Sequence, residues 1–204
     1  MMSYVPRTFF AHKTGKRLAF LVVTAAFVFG AAACGGSNGS KASSSDFNTA
    51  DVTFTQDMIA HHTQAIEMAK LAPGRATDAG VKDLAKRIQA AQDPEISRMK
   101  RWLKDWGKPV SSNSGMASNG GMADHGSGKG MMSEAEMGTL MATMGSKFHM
   151  MFLEMMTTHH MGAIDMAKAE LADGKSADAK KLAQDIIDAQ TKEIAEMKTL
   201  RKGV

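Results

Sequence analysis

Cysteine is almost absent from this chain of 204 residues, since Cys34 is the only one. A lone cysteine cannot form an intrachain disulfide, and it excludes a metal site built from several thiolates. A site for a soft metal would therefore have to use methionine and histidine, of which the chain has 19 and 7. Signatures of nucleotide chemistry are absent too, because the sequence contains neither a P-loop nor a dinucleotide-binding fingerprint.

An excess of charge of one sign is also lacking once the first residues are set aside. The net charge is +4, with 25 Lys and Arg against 21 Asp and Glu. Four of the basic residues lie in the first 17 positions, and no acidic residue precedes Asp46. The remaining 21 basic residues balance the 21 acidic ones. The basic surface expected of a nucleic-acid-binding protein is therefore missing, and we expect no nucleic-acid partner.

The apolar run at residues 18–29 is too short to span a bilayer as a stable helix. It follows a basic leader and precedes small residues at 30–33, which is the layout of a secretory signal peptide. We therefore predict a signal peptide over 1–33, a lipid on Cys34 and a flexible Gly/Ser-rich tether over 34–50. The protein would then be lipid-anchored on the extracytoplasmic face of the cell membrane. The alternative is an ordinary secreted protein with an unmodified cysteine.

Signals for β-strands are missing, since the sequence has few β-branched runs and no alternation of polar and apolar residues. Helical spacing of apolar residues instead predicts a short helix after a capping box at Ser133, together with four long helices. The long helices are expected at about residues 51–72, 77–106, 146–172 and 176–201. Pro94 predicts a kink or a break in the second of them. The expected fold is all-α, an antiparallel four-helix bundle (ferritin-like) over 51–204, built from two duplicated hairpins with a Met- and Gly-rich linker at 107–132.

The motif Met-x2-His-His-x5-Met occurs twice, with an offset of 98 residues. Its members are Met58, His61, His62 and Met68 in the first copy, and Met156, His159, His160 and Met166 in the second. Residues three and four apart share one face of a helix, so the first Met of each copy lies beside the His pair. In an up-down-up-down bundle the first and third long helices would run parallel on a diagonal, and four imidazoles would converge. The turn is expected to slip by two residues between the copies, with Leu71 aligned to Leu171.

Thioether and imidazole side chains bind soft and borderline metals, and thioethers favour Cu(I). The repeated motif therefore predicts a copper site, with Cu(I) preferred. Further candidate ligands flank the motif or lie in Met-rich segments, namely Met155, Met161, His149 and His125. The alternative is that the methionines only fill the core, since a duplication copies structural features as well as functional ones.

Carboxylates near the motifs receive a different interpretation. A di-iron site in a four-helix bundle would need Glu-x-x-His pairs, and neither motif contains one. We therefore interpret the four nearby acids as parts of solvated helix faces. They are Glu67, Glu95, Asp165 and Glu193.

Longer stretches around the motif resemble a known family, the domain of unknown function 305. The matching patterns are Phe-x3-Met-x2-His-His-x2-Ala-Ile-x-Met-Ala, Gln-x2-Glu-Ile-x2-Met and Gly-Met-Met-Ser-x2-Glu-Met, found here at residues 54–69, 92–99, 130–137, 152–167 and 190–197. The resemblance covers about 51–201 and implies an exported, ferritin-like helical bundle, common among bacterial lipoproteins. Some members of the family are associated with copper binding and tolerance. By position, the family motif residues are the eight of the repeated motif, whereas His149 departs from the Asp that the family commonly has.

The function expected from the sequence is that of an extracytoplasmic copper-binding lipoprotein, which sequesters copper or hands it over, and a binding role is favoured over an enzymatic one. One alternative is a ferritin-like metal-dependent oxidase. Another is a structural or partner-binding protein of the cell envelope that binds no metal. A copper-handling protein partner and a homo-oligomer both stay open.

Overall fold

The computed structural model describes residues 46–110 and 128–203. Its helices are α1 (Thr49–Arg75), α2 (Ala79–Asp105), α3 (Glu134–Ala142), α4 (Gly145–Asp173) and α5 (Ala177–Leu200), with short 3-10 turns at Gly128–Gly130 and Arg201–Gly203. The predicted all-helical bundle is confirmed, and neither described range contains a strand. Within these two ranges, no helix is long and apolar enough to cross a membrane. The predicted signal peptide, Cys34 and His125 lie outside the described residues.

Polar side chains set the starts of the helices. Asn48 and Ser133 form capping boxes at α1 and α3, the second of which the sequence predicts. Asp78 and Ser176 accept a hydrogen bond from the third backbone N–H of α2 and α5. Each cap satisfies an N–H group that has no partner in the first turn, which typically stabilises a helix by about 1 kcal/mol. Helix α2 continues through Pro94, so the alternative of a break there is wrong.

Helices α1 and α2 form one hairpin, α4 and α5 form the other, and the hairpins pack through α1 and α4. Contacts at both ends show that α1 and α4 are antiparallel. Asn48 Nδ2 donates to the backbone carbonyl of Asp173 at 2.8 Å, and the backbone N–H of Thr77 donates to His149 Nε2 at 2.8 Å. The predicted parallel, diagonal arrangement is therefore wrong. A linker as long as 107–132 can return to either end of a hairpin, so the sequence does not fix this direction.

The duplication appears in the structure as an approximate two-fold symmetry that relates residues 98 positions apart. Helices α1 and α4 end at Arg75 and Asp173, and the next helices are capped by Asp78 and Ser176. Both pairs keep the offset of the motif, so the expected slip of two residues in the turn is wrong.

Apolar side chains form two clusters, one at each end of the bundle. The first cluster joins the C-terminal half of α1 to the N-terminal half of α4 and contains Met68 and Phe152. The second joins the other halves of the same two helices and contains Phe54 and Met166. The middle of α1 and of α4, between the clusters, is occupied by the four histidines of the repeated motif.

Asp51 and His149 are equivalent residues that each hold the turn of the opposite hairpin. The Asp51 carboxylate accepts from the backbone N–H groups of residues 175 and 176 at 2.8–3.1 Å. His149 Nε2 accepts from the backbone N–H groups of residues 77 and 78 at 2.8 and 3.1 Å. An imidazole nitrogen accepts only while it is unprotonated, so Nδ1 carries the proton of this ring. A carboxylate and an imidazole thus perform the same task at symmetric positions.

Replacing His149 by alanine should lower the free energy of unfolding by about 1–2 kcal/mol, because two N–H groups of the turn lose their acceptor. His149→Asp should keep most of that stability, since Asp51 holds the equivalent turn. Urea denaturation followed by circular dichroism measures both variants. Equal losses in the alanine and aspartate variants would contradict the assigned role.

A second carboxyl group lies buried beside Asp51. Glu170 is 1% exposed, and burial together with a hydrogen bond to Asp51 raises the pKa of Glu170 to about 8. Burial also raises the pKa of Asp51, but hydrogen bonds from Glu170 and from backbone N–H groups outweigh that effect and lower it overall. At neutral pH a protonated Glu170 therefore lies beside an ionised Asp51.

The raised pKa of Glu170 makes a contribution to stability that falls as the pH rises from about 4.5 to about 8 and then levels off. In this window the folded state keeps a proton that the unfolded chain loses, so deprotonation favours unfolding. Asp51 titrates below the window and does not contribute to the slope. The lowered pKa values of His61 and His159 make an opposite contribution below about pH 6.5, so Glu170 is tested by the difference between the wild type and a variant. Glu170→Gln should remove the contribution of Glu170, because an amide does not titrate in this range. Thermal melts of both proteins across the window test this, and identical slopes would count against it.

Candidate metal centre

Two equivalent histidines meet where α1 packs on α4. The ring centroids of His61 and His159 are 3.7 Å apart, and the ring planes are tilted by 41°. Burial, and repulsion from neighbouring imidazoles, lower the pKa of His61 to about 3 and the pKa of His159 well below its usual value. Both rings are therefore neutral at physiological pH, and each keeps a nitrogen lone pair.

The adjacent histidines, His62 and His160, each bond to a glutamate on the second helix of their own hairpin. His62 Nε2 lies 2.7 Å from Glu95 Oε2, and His160 Nε2 lies 2.8 Å from Glu193 Oε2. Each Nε2 donates to a carboxylate oxygen, so Nδ1 is the ring nitrogen that this hydrogen bond leaves free. Both imidazoles are fully buried.

Interpreting the acids as solvated is correct for two of them and wrong for the other two. Glu67 and Asp165 are exposed. Glu95 and Glu193 are only 19% and 15% exposed and bond to the buried histidines. The signal that could have identified them is their common position in the repeat, one on each second helix.

Met58 and Met156 stand one turn before His61 and His159 and are fully buried. They belong to opposite end clusters, so each end of the histidine layer has a buried thioether close to it along the helix. Met68 and Met166 lie two turns beyond the histidines, within the packing of the two clusters.

The other predicted ligands are more scattered. Met155 is partly buried and packs against the first end cluster. Met161 is 49% exposed, and His149 holds the turn of the opposite hairpin. The structure therefore does not bring Met161 or His149 to the imidazoles, while His125 lies outside the described residues.

The end of the linker, residues 129–132, crosses α1 and α4 beside the histidines, and we call it the strap. His61 Nε2 donates a hydrogen bond to the backbone carbonyl of Lys129 at 2.9 Å. The strap packs so closely on α4 that a Cβ atom at Gly162 would overlap the Lys129 carbonyl. The position equivalent to Gly162 in α1 is Gln64, whose side chain bonds the backbone N–H and C=O of Met132 at 2.7 Å. The strap thus closes one side of the histidine layer.

Five buried imidazole nitrogens have no hydrogen-bond partner among the described residues. They are Nδ1 of His61, His62, His159 and His160, and Nε2 of His159. A buried polar atom without a partner typically costs about 1–3 kcal/mol, so such a cluster needs an explanation. A bound metal would satisfy the lone pairs among these atoms.

The described part of the chain contains no group of three His, Asp or Glu side chains in a geometry that could hold a metal ion. The four imidazoles share one region of the bundle, but they do not surround a single point. Two of the rings contact each other, and the other two bond to glutamates. A metal site in this layer would have to combine imidazole with thioether.

Removing Glu95 should destabilise the protein more than removing an exposed glutamate, because a buried N–H of His62 loses its acceptor. We expect Glu95→Ala to cost about 1–3 kcal/mol of unfolding free energy. Glu67→Ala, a matched change on the exposed face of α1, should stay within about 0.5 kcal/mol. Glu193→Ala should resemble Glu95→Ala because the two sites are equivalent. Chemical denaturation compares the three, and equal stability of the Glu95 and Glu67 variants would refute this role.

The protein consists of two equivalent helical hairpins that bury four histidines between two methionine-containing clusters. The sequence profile of one family, Domain of unknown function (DUF305), matches residues 51–201. The chain belongs to this family. A comparison with functionally curated proteins found no match.

Solved structures of similar proteins share the fold. A DUF305 fragment from Deinococcus radiodurans is 29% identical, with a TM-score of 0.67, and the match covers 77% of this chain and 98% of that one. A candidate secreted DUF305 protein from Streptomyces coelicolor is 32% identical, with a TM-score of 0.64 and coverage of 72% and 88%. CopM in the Cu(II)-bound form is 31% identical, with a TM-score of 0.62 and coverage of 75% and 96%.

Proposed function

We propose that this protein binds copper outside the cytoplasm, in order to sequester it or hand it over, and that the histidine layer with its neighbouring methionines is the site. The observation that carries the proposal is the set of buried imidazole nitrogens without partners. Those nitrogens lie one helical turn from the buried thioethers of Met58 and Met156. Thiolate is absent from the described chain, so soft-metal binding would rest on thioether and imidazole.

Relatives of similar fold support the choice of metal. CopM has structures in Cu(I)-bound, Cu(II)-bound and silver-bound forms, and these are 28–31% identical to this chain. Silver(I) resembles Cu(I) in its preference for soft ligands, so the thioethers would serve both ions. We propose a preference for Cu(I) because the buried thioethers of Met58 and Met156 lie one turn from the histidines, whereas Glu95 and Glu193 already bond to imidazoles.

The glutamates of the layer also bear on the choice between binding and catalysis. Glu95 and Glu193 accept hydrogen bonds from histidines, and so they orient imidazoles. A carboxylate in that position fixes which ring nitrogen is free to bind a metal, as carboxylate–histidine–metal arrangements do. A ferritin-like oxidase would instead need such carboxylates on the metal itself. The arrangement therefore favours a binding protein over an oxidase.

We also propose that the protein is exported and anchored by a lipid on Cys34. The sequence of residues 1–34 supports this, and one similar structure is of a candidate secreted protein. Labelling with a radioactive fatty acid in the native cell tests the anchor. Cys34→Ser should abolish the label and release the protein from the membrane fraction.

Cu(I) titration against a chelator of known affinity tests the proposed metal site. We expect the double variant His61→Gln/His159→Gln to bind Cu(I) more than about 100-fold more weakly than the wild type. Changes to groups that only orient the ligands typically weaken metal binding by roughly 10–100-fold. Glutamine approximates the size of histidine but offers no imidazole nitrogen. His149→Asp is the matched control, since it removes an imidazole outside the layer and should bind Cu(I) like the wild type.

A second readout separates metal loss from misfolding. A metal that binds only the native state must raise the melting temperature, so Cu(I) should stabilise the wild type and the His149→Asp control but not the double variant. Circular dichroism without metal shows whether the double variant is folded. Wild-type protein that neither binds Cu(I) nor melts at a higher temperature with it would leave the structural alternative in place.

A further inference from the structure

One stripe of helix α4 joins an open groove to the histidine layer. Met151, Met155 and His159 follow one another at spacings of four, so their side chains lie along one face of the helix. The two methionines are partly buried and line a groove of about 850 Å³ between α3 and α4. Met132 and Met150 line the same groove. Thioethers thus lead from the protein surface to a buried imidazole.

The internal symmetry provides a comparison for this stripe. The equivalent residues of α1 are Thr53 and Asp57, followed by His61. Thr53 and Asp57 line a smaller cavity of about 420 Å³ on the symmetric side of the molecule. The same backbone position therefore carries a hydroxyl and a carboxylate in one half and two thioethers in the other. Packing of the duplicated scaffold does not require methionine there.

The two histidines at the ends of these stripes also differ. His61 Nε2 donates a hydrogen bond to the carbonyl of Lys129 in the strap. Both ring nitrogens of His159 lack a hydrogen-bond partner among the described residues, although the ring is 1% exposed. His159, which follows Met151 and Met155 along the helix, is thus the histidine with neither ring nitrogen hydrogen-bonded. The two thioethers and this imidazole belong to the same half of the duplication.

We propose that Met151 and Met155, with Met132 and Met150 around them, form an entry site that captures a soft monovalent metal ion, Cu(I) or Ag(I), before it reaches His159. This inference rests on the proposed function and adds a second site to it. Thioethers bind such ions without deprotonation and exchange them readily, which suits capture more than storage. Carboxylates line both cavities, Glu136 and Glu154 in the groove and Asp57 and Glu170 in the symmetric cavity. The thioethers of Met151 and Met155 distinguish the groove, because the equivalent positions in the other cavity are Thr53 and Asp57.

Silver binding in the absence of the central site tests the entry site directly. The variant His61→Gln/His159→Gln, labelled with ¹³C in its methionine methyl groups, is titrated with Ag(I) and followed by NMR. We expect the methyl signals of Met151 and Met155 to shift first, and those of the exposed Met141 and Met144 to stay in place. Signals of Met151 and Met155 that do not move would overturn the proposal.

Uptake kinetics test the route in the intact protein. Met151→Leu/Met155→Leu keeps the apolar volume and removes both thioethers. Transfer of Cu(I) from a coloured chelator should slow about tenfold, which corresponds to roughly 1.4 kcal/mol of lost interaction with the ion in transit. Met141→Leu/Met144→Leu removes two exposed thioethers and should keep the wild-type rate. An unchanged rate in the groove variant would refute the route.

The two hypotheses fail in different ways. If wild-type protein takes up no Cu(I), the proposed function fails, and the silver titration still decides whether the groove binds soft metal. If the wild type takes up Cu(I) with a rate that the groove variant shares, only the entry site fails. In that case the equilibrium affinity of the histidine layer remains to support the function.

Discussion

Four imidazoles are buried between two apolar clusters where α1 packs on α4. An imidazole removed from water needs partners for its ring nitrogens, or it must stay neutral at a cost. The protein meets this need in part, with Glu95 and Glu193 on one ring of each pair and the Lys129 carbonyl on another. What remains is a set of buried ring nitrogens without partners, and the proposed metal would bind to their lone pairs.

Duplication explains how such a layer is built, and the departures from the internal symmetry explain how the two halves come to differ. The antiparallel packing of α1 on α4 brings equivalent histidines into contact. The linker is present only once, however, and its strap lies against Gly162 of α4 and Gln64 of α1. Equivalent positions can then diverge, because each faces a different neighbour. Asp57 pairs with Lys129 of the strap, whereas its counterpart Met155 lines the groove beside α3.

Much of this fold could be predicted from the sequence, because helical periodicity and capping residues are local signals. The capping box at Ser133 placed a helix of only nine residues correctly. The direction of α4 relative to α1 could not be predicted, since it depends on where a long linker returns. The role of His149 in holding a turn could not be predicted for a related reason, since its partners, residues 77 and 78, are distant in sequence. The repeat aligns His149 with Asp51, but this alignment does not indicate a shared role until the packing of the two hairpins is known.

The two glutamates decide how the site differs from the di-iron bundles that share its general architecture. In those bundles carboxylates bind the metal, and the ions are hard or borderline. Here each carboxylate accepts from Nε2 of a histidine, and this leaves Nδ1 as the atom available to a metal. The histidines and methionines therefore offer nitrogen and sulfur as possible ligands, while the glutamate oxygens hydrogen-bond to the histidines. The proposed preference for a soft ion follows from this arrangement, because the two glutamates already bond to histidines.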